Sequence, residues 1–160
     1  NEFQYVVLDL NELCRGVAKL VSSDAVIRNI TIMLDVDPEP TIVHGDHVQL
    51  QQVVLNLLLN AMEAIAEGTE GDRLIVVRTR NLETKTVHVS VQDTGPGLPD
   101  GTQELVFEPF YTRKPAGLGM GLSIVRLIIE AHGGVIGVTN NPTGGATFSF
   151  TLPWAGGRAA

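Results

Sequence analysis

Residues 46–67 read DHVQLQQVVLNLLLNAMEAIAE, a strongly apolar stretch with one recurring set of polar side chains. Gln49, Gln52, Asn56, Asn60, Glu63 and Glu67 follow one another at spacings of three or four, which stacks them down one side of a helix. Around that stripe stand Val48, Leu50, Val53, Val54, Leu55, Leu57, Leu58, Leu59, Met62 and Ile65, more apolar surface than a helix lying on a protein surface needs. A helix of this composition is mostly buried, and its stripe faces either bulk water or a polar cavity. Asn56 and Asn60 give the second reading its interest. Amides are poor residues for a helix interior, yet their carbonyl oxygens can bind a hard cation and their N–H groups can meet phosphate. The stretch alone leaves both readings open.

The 160 residues are enough for one domain with a real core. The 44% apolar content is ordinary and the 5% aromatic content low. A formal charge of −7, with the basic residues scattered, argues against nucleic acid as the main partner, because phosphate contacts want clustered Lys and Arg. The single cysteine, Cys14, excludes an internal disulfide and reads as a small packed hydrophobe in a reducing compartment. No apolar run reaches membrane-spanning length, since Asn56 and Asn60 interrupt the longest candidate. The chain begins at Asn1 without a charged-then-apolar leader. The expectation is an excised, soluble, cytoplasmic domain without membrane insertion.

Working outward, Phe3 to Leu8 reads as a short strand or extended entry. Asp9 or Asn11 can then cap a helix running to about Arg28. Ile30, Ile32, Leu34 and Val36 alternate with polar positions as in a half-buried strand, ended by Pro38 and Pro40, and Thr41 to His44 forms another extended piece. Gly45-Asp46 opens the striped helix, with Asp46 its cap. After a turn at residues 68–72, Arg73 to Arg80 and Lys85 to Gln92 read as a hairpin. Leu122 to Ala131 is an amphipathic helix closed by Gly133-Gly134, and Val135 to Thr139 and Ala146 to Leu152 are the last strands. Helices mixed with mostly antiparallel strands indicate an α+β two-layer sandwich, a mixed sheet covered on one face by about three helices. The domain is expected over 1–154, with 155–160 a tail or linker.

From Asp93 to Gly121 the periodicity disappears and Gly and Pro become dense. So long a structureless stretch in a compact domain points to function. Asp93-Thr94-Gly95-Pro96-Gly97 ends a strand, where a carboxylate can accept from an exocyclic amine such as adenine N6 and glycines allow close approach; the same residues also make an acceptable turn. Phe107-Glu108-Pro109-Phe110-Tyr111-Thr112-Arg113-Lys114 could anchor a loop by its aromatics and aim two cations at an anion, or simply leave them solvated. Gly117-Leu118-Gly119-Met120-Gly121 runs directly into a helix, where free amides and the positive dipole end favour phosphate. It lacks the Gly-Lys-Ser or Gly-Lys-Thr of a P-loop and the third glycine of a dinucleotide fingerprint.

Taken in order, the amide-bearing helix, the strand-ending Asp-x-Gly-x-Gly, the aromatic–basic loop and the Gly-x-Gly-x-Gly before a helix resemble the N, G1, F and G2 boxes of the ATP-binding domain of sensor histidine kinases. Gly144-Gly145-Ala146-Thr147-Phe148 resembles its terminal box. The resemblance runs from about Leu8 to Pro153, and Glu108 to Pro115 is most similar to the nitrogen- and oxygen-sensing subgroup.

The resemblance implies the Bergerat α/β sandwich shared with DNA gyrase, heat-shock chaperone and MutL-type ATPases, with ATP and Mg²⁺ held beneath a flexible lid. By position, Asn60 would supply a carbonyl oxygen to the metal, and Asn56 would help hold metal-bound water or phosphate. Asp93 would read adenine, with Gly95 and Gly97 allowing close approach. Thr112 and Lys114 would belong to the nucleotide contacts, Lys114 on the terminal phosphates. Gly117, Leu118, Gly119, Met120, Gly121 and Leu122 would cradle those phosphates. Thr147 would place a hydroxyl near Asp93, and Glu63 would either approach the nucleotide or stay solvated. Asn56, Asn60 and Lys114 would carry the catalysis, because phosphoryl transfer needs positioning and charge neutralisation rather than covalent work.

Two departures sharpen this. His44, His47, His88 and His132 lack the helical context of the family's phosphoacceptor and read as structural or surface residues, His132 at a helix C-terminus where a partial charge suits the dipole. The acceptor would therefore lie on a separate histidine-bearing dimerisation domain of the same full-length protein, itself a homodimer, with a response regulator downstream and this fragment monomeric. In the hydrolytic relatives a Glu one turn before the metal-binding Asn acts as general base on water; here Asn56 stands in that place and cannot take a proton, which favours transfer over hydrolysis. The alternatives within the same fold are a serine kinase acting on an anti-anti-sigma factor and a nucleotide-binding pseudo-kinase module.

Overall fold

The computed structural model describes residues 4–68, 71–109, 111 and 121–156. In chain order the elements are β1 (Tyr5–Asp9), α1 (Leu10–Leu20), α2 (Ser22–Ile27), β2 (Thr31–Asp35), β3 (Ile42–Asp46), α3 (His47–Glu67), β4 (Leu74–Asn81), β5 (Thr86–Asp93), a 3₁₀ turn at Leu105–Phe107, α4 (Gly121–Ala131), β6 (Val135–Asn140) and β7 (Ala146–Pro153). The main sheet has the order β2-β4-β5-β7-β6. Only β2 and β4 run parallel, because the chain leaves β2, makes β3 and α3, and returns by a crossover. Every other neighbour in that sheet is antiparallel. Alternation puts Ile75, Val77, Val87, Val89, Val91, Phe148, Phe150 and Leu152 on one buried face. The helices pack there, and Leu50, Val53, Val54, Leu57, Leu58, Ala61 and Met62 of α3 enter the same core. The other face carries Arg78, Arg80, Gln92, Thr147 and Ser149, all half-buried. The two-layer α+β architecture expected from the sequence is the one found.

Some elements differ in detail. The first helix breaks at Val21, where the Ser22 hydroxyl donates to the Lys19 carbonyl at 2.8 Å; serine bonding back to the preceding turn competes with the helical ladder. Asp9, not Asn11, is the cap of α1, its Oδ1 accepting from the Asn11 amide at 3.0 Å. The Asn11 side chain turns inward and donates to the carbonyls of Asp37 and Glu39, both at 3.0 Å, pinning the loop between β2 and β3. β1 and β3 form a second, two-stranded antiparallel sheet, joined to the main one by the Val43–Trp154 bridge. The Ala155 amide donates to the Ile42 carbonyl at 2.8 Å. Cys14 is fully buried, and burial pushes its thiol up to about 12, which makes it inert packing. No helix of the described residues is long and apolar enough to cross a membrane.

One histidine fixes how the two site helices meet. α3 starts on Asp46, whose Oδ1 accepts from the Gln49 amide at 2.9 Å as an N-cap should. The Asp46 amide in turn donates to Nε2 of buried His132 at 3.0 Å, just past the end of α4. Nδ1 of His132 lies 2.8 Å from the Ile128 carbonyl. An amide can only donate and a carbonyl can only accept, so the ring is the neutral Nδ1–H tautomer. The ring is a structural link between the two helices, the kind of placement expected of a histidine outside the phosphoacceptor's context. Tyr5 stacks on the ring, centroids 4.8 Å apart. His132→Ala leaves the Asp46 amide without its partner beside a cavity, while the Ile128 carbonyl still accepts from the backbone amide of residue 132, so we expect a loss of about 2–4 kcal/mol of unfolding free energy in urea titration. A loss below about 1 kcal/mol would mean that water takes over the bond to the Asp46 amide.

Candidate nucleotide site

The polar stripe of α3 does not simply face bulk solvent. Asn56 and Asn60 are half-buried, whereas Gln52, Glu63 and Glu67 are exposed. Among the described residues neither Asn56 nor Asn60 has a hydrogen-bond or ionic partner for its side chain, while Glu63 and Glu67 each interact with another group. Neither amide is sealed from solvent. Both amides are thus accessible and offer donors and acceptors that no described residue uses, as a ligand site requires.

Asp93 ends β5 and is 1% exposed. Its Oδ1 accepts from the Gly95 amide at 2.9 Å and the Ala146 amide at 3.3 Å. Burial pushes its carboxyl above the usual carboxylate range, and those two amides pull it back only in part. The following loop rests on α3 one turn beyond Asn60. A Cβ on Gly95 would stand 2.8 Å from the Ala64 carbonyl oxygen, so only glycine lets the loop lie that close. Gly145 is the matching close approach from the other side, since a Cβ there would sit 2.0 Å from the Asp93 carbonyl oxygen, and its φ of +87° suits glycine. The helix stripe and the strand-ending carboxylate are thereby brought to one place.

Thr147 is placed elsewhere. It pairs with Gln92 across the β5–β7 ladder, and alternation puts both on the outer sheet face, opposite the Asp93 carboxylate. Its hydroxyl donates to Asn141 Oδ1 at 2.5 Å, and Asn141 Nδ2 donates to the Asp93 carbonyl at 3.1 Å. The neighbour that does meet the carboxylate is Ala146, through its backbone. Gly97 has a φ of +79° and lies in the loop after Asp93. At the other end of the site, Gly121 and Leu122 begin α4, and Arg126 of that helix pairs with Glu108 at 3.7 Å. Thr112, Lys114, Gly117, Leu118, Gly119 and Met120 lie outside the described residues, as do Phe110 and Arg113. The histidines have structural or surface placements: His44 meets Tyr5 edge-on, His47 is the exposed first residue of α3, and His88 sits on the outer sheet face, where burial disfavours its charged form.

Among the described residues no three His, Cys, Asp or Glu side chains cluster as a metal site. The donor on offer is a neutral amide oxygen, the hard ligand type that Mg²⁺ accepts, and this ion commonly takes most of its shell from phosphate and water. Asn60 fits that role.

The profile of the "Histidine kinase-, DNA gyrase B-, and HSP90-like ATPase" family matches residues 45–156. The chain belongs to that family. It is 41% identical over 149 residues to the sensor protein FixL of Bradyrhizobium diazoefficiens, covering 93% of this chain and 29% of FixL. The catalytic domain of the histidine kinase ThkA superposes with a TM-score of 0.83 at 36% identity, covering 94% of this chain and 96% of that one. ThkA in complex with the response regulator TrrA aligns with a TM-score of 0.80 at 33% identity, over 98% of this chain and 44% of that one. The chain is thus a histidine kinase catalytic, ATP-binding domain, and it spans about 29% of the length of FixL. The sequence had signalled the loop at Asp93 through its glycines. It had no signal for Ala146, which acts by its amide, or for Asn141, which reads as an ordinary turn residue in Asn140-Asn141-Pro142.

Proposed function

We propose that this domain binds Mg-ATP and transfers the γ-phosphoryl group to a histidine on a separate dimerisation domain of the same full-length protein, which works as a homodimer. The observation that carries the reading is the pair of half-buried amides Asn56 and Asn60, which have no side-chain partner among the described residues and stand two turns and one turn before the place where the loop after Asp93 rests on α3. Asp93 accepts from the adenine amine. Asn60 holds Mg²⁺, which when bound neutralises phosphate charge, and Asn56 orders water or phosphate beside it. Lys114 meets the terminal phosphates, with Thr112 and the backbone from Gly117 to Leu122 completing the cradle and Glu63 approaching the nucleotide from α3, while Gly95 and Gly97 leave room for the base. In the transfer, the bond between the γ-phosphorus and the β–γ bridging oxygen breaks, a bond to an imidazole nitrogen forms, and ADP departs while the imidazole proton passes to water. Asn56 offers no base to activate water in place of that imidazole.

A response regulator, of the kind seen with ThkA, receives the phosphoryl group next. Nucleic acid has no part in the reading. ATP as co-substrate places the work in the cytoplasm, and the isolated domain, 1–154 with a tail at 155–160, acts as a monomer. The test is to mix the domain with labelled ATP, Mg²⁺ and a separately made histidine-bearing helical hairpin from the full-length protein. Acid-labile, alkali-stable label on the hairpin is expected. Label on serine would favour a serine kinase instead, and nucleotide binding with no transfer at all would point to a regulatory pseudo-kinase.

A further inference from the structure

The segment that carries Asp93 is gripped by two consecutive asparagines at the tip of the β6–β7 hairpin. Asn140, the last residue of β6, makes a reciprocal pair with the backbone of Leu98. Its Oδ1 accepts from the Leu98 amide at 2.8 Å, and its Nδ2 donates to the Leu98 carbonyl at 2.9 Å. The side-chain amide thus copies the bonding of one more strand residue and holds the far end of the loop. Asn141 holds the near end, its Nδ2 donating to the Asp93 carbonyl at 3.1 Å and to the Gly144 carbonyl at 3.2 Å. Thr147 in turn steadies Asn141 by donating to its Oδ1.

Gly97 sits between these two grips. A Cβ there would stand 2.9 Å from Asn140 Oδ1 and 3.3 Å from the Gly145 carbonyl oxygen, so its missing side chain is already needed to admit Asn140. Besides that close approach at Gly97, hydrogen bonds from the hairpin reach the Asp93 carboxylate through the Ala146 amide, the Asp93 carbonyl through Asn141, and Leu98 through Asn140.

We propose that Asn140 and Asn141 are positioning residues for base recognition, fixing both ends of the loop so that Asp93 meets adenine in one orientation. The proposal rests on the reading that Asp93 takes the base. A carboxylate selects adenine only if its lone pairs are aimed; a loop free at Leu98 can re-aim them by a shift of less than 1 Å, enough to weaken a directional bond. Both asparagine bonds to Leu98 lie at the surface, so their loss should register on the ligand more than on the fold.

The experiment measures ADP and GDP affinity by calorimetry on the parent domain, Asn140→Ala, Asn141→Ala, Asn140→Asp and Asp93→Asn, with thermal melts and amide exchange at Gly97 and Leu98. Asn140→Ala and Asn141→Ala are each expected to weaken ADP about 5- to 10-fold, the worth of one or two surface hydrogen bonds. GDP should change less than about 2-fold, so selectivity falls. Exchange at Gly97 and Leu98 should quicken in Asn140→Ala. Asn140→Asp keeps the acceptor for the Leu98 amide and loses the donor, so it should recover part of the affinity. ADP and GDP moving together, in step with the melting temperature, would overturn the proposal as a merely structural effect. Selectivity lost in Asp93→Asn but intact in both alanine variants would overturn it while leaving the Asp93 reading standing. A parent domain that binds ADP and GDP alike would overturn both.

Discussion

Asp93→Asn is expected to bind ADP about 100-fold more weakly than the parent and to lose its preference for adenine over guanine, as the loss of a hydrogen bond to a buried charged group implies. The exocyclic group of adenine is a donor and that of guanine an acceptor, so a carboxylate, which only accepts, matches the first and repels the second. Asparagine presents an N–H₂ as well as an oxygen and can turn the donor toward guanine. Its oxygen can still accept from the Gly95 and Ala146 amides that now bond Oδ1, so the loop keeps its shape. The fold itself should gain. Burial raises the Asp93 carboxyl above its usual range, which means that the folded chain holds the proton more tightly than the unfolded one. Stability is then lost as pH climbs from the ordinary carboxylate range through the raised value, and the loss persists at neutral pH. The variant has no such titration. Thermal melts of the ligand-free proteins from pH 4 to 7 should therefore show the parent falling relative to Asp93→Asn, while calorimetry shows the variant losing ADP. Unchanged base selectivity would remove Asp93 from the base pocket, and a variant less stable at pH 7 than at pH 4 relative to the parent would refute the buried-charge account.

What could be read from the chain was what local physics decides. The stripe on α3, its Asp46 cap, the β4–β5 hairpin and the glycine stop after α4 each follow from spacing and residue type, and each stands where the pattern put it. Partners distant in sequence were not legible. The pairing of β1 with β3 as a separate sheet depends on a meeting across the β2 crossover. His132 read as a structural or surface residue, but nothing local shows that its partner is an amide 86 residues away. Thr147 illustrates the narrowest failure. It adjoins Ala146, but one residue of register turns a side chain to the other sheet face, so the hydroxyl supports Asn141 while the backbone of Ala146 meets Asp93. The site was legible as a set of segments, and the sheet register decides which atom of each segment points inward.

Asn60→Ala should separate ligand binding from stability most sharply. Asn60 is half-buried in the long helix α3 with no partner for its amide among the described residues. Alanine is the better helix former by roughly half a kcal/mol, and removing a polar group that none of the described residues satisfies breaks no bond among them. The ligand-free variant should therefore melt no lower than the parent. Its affinity for ADP with Mg²⁺ should nevertheless fall on the order of 10- to 100-fold, the usual consequence of disturbing a metal's oxygen shell. Affinity for ADP in the presence of a chelator should move less than about 3-fold, because the base contact through Asp93 is untouched. The same substitution at an amide kept only for packing would lower the melting temperature and leave both affinities alike. Equal losses with and without Mg²⁺ would assign Asn60 to phosphate rather than metal. No loss in either condition would return the stripe to the solvent-facing reading that its spacing alone allows, and with it remove the observation on which the proposed phosphoryl transfer rests.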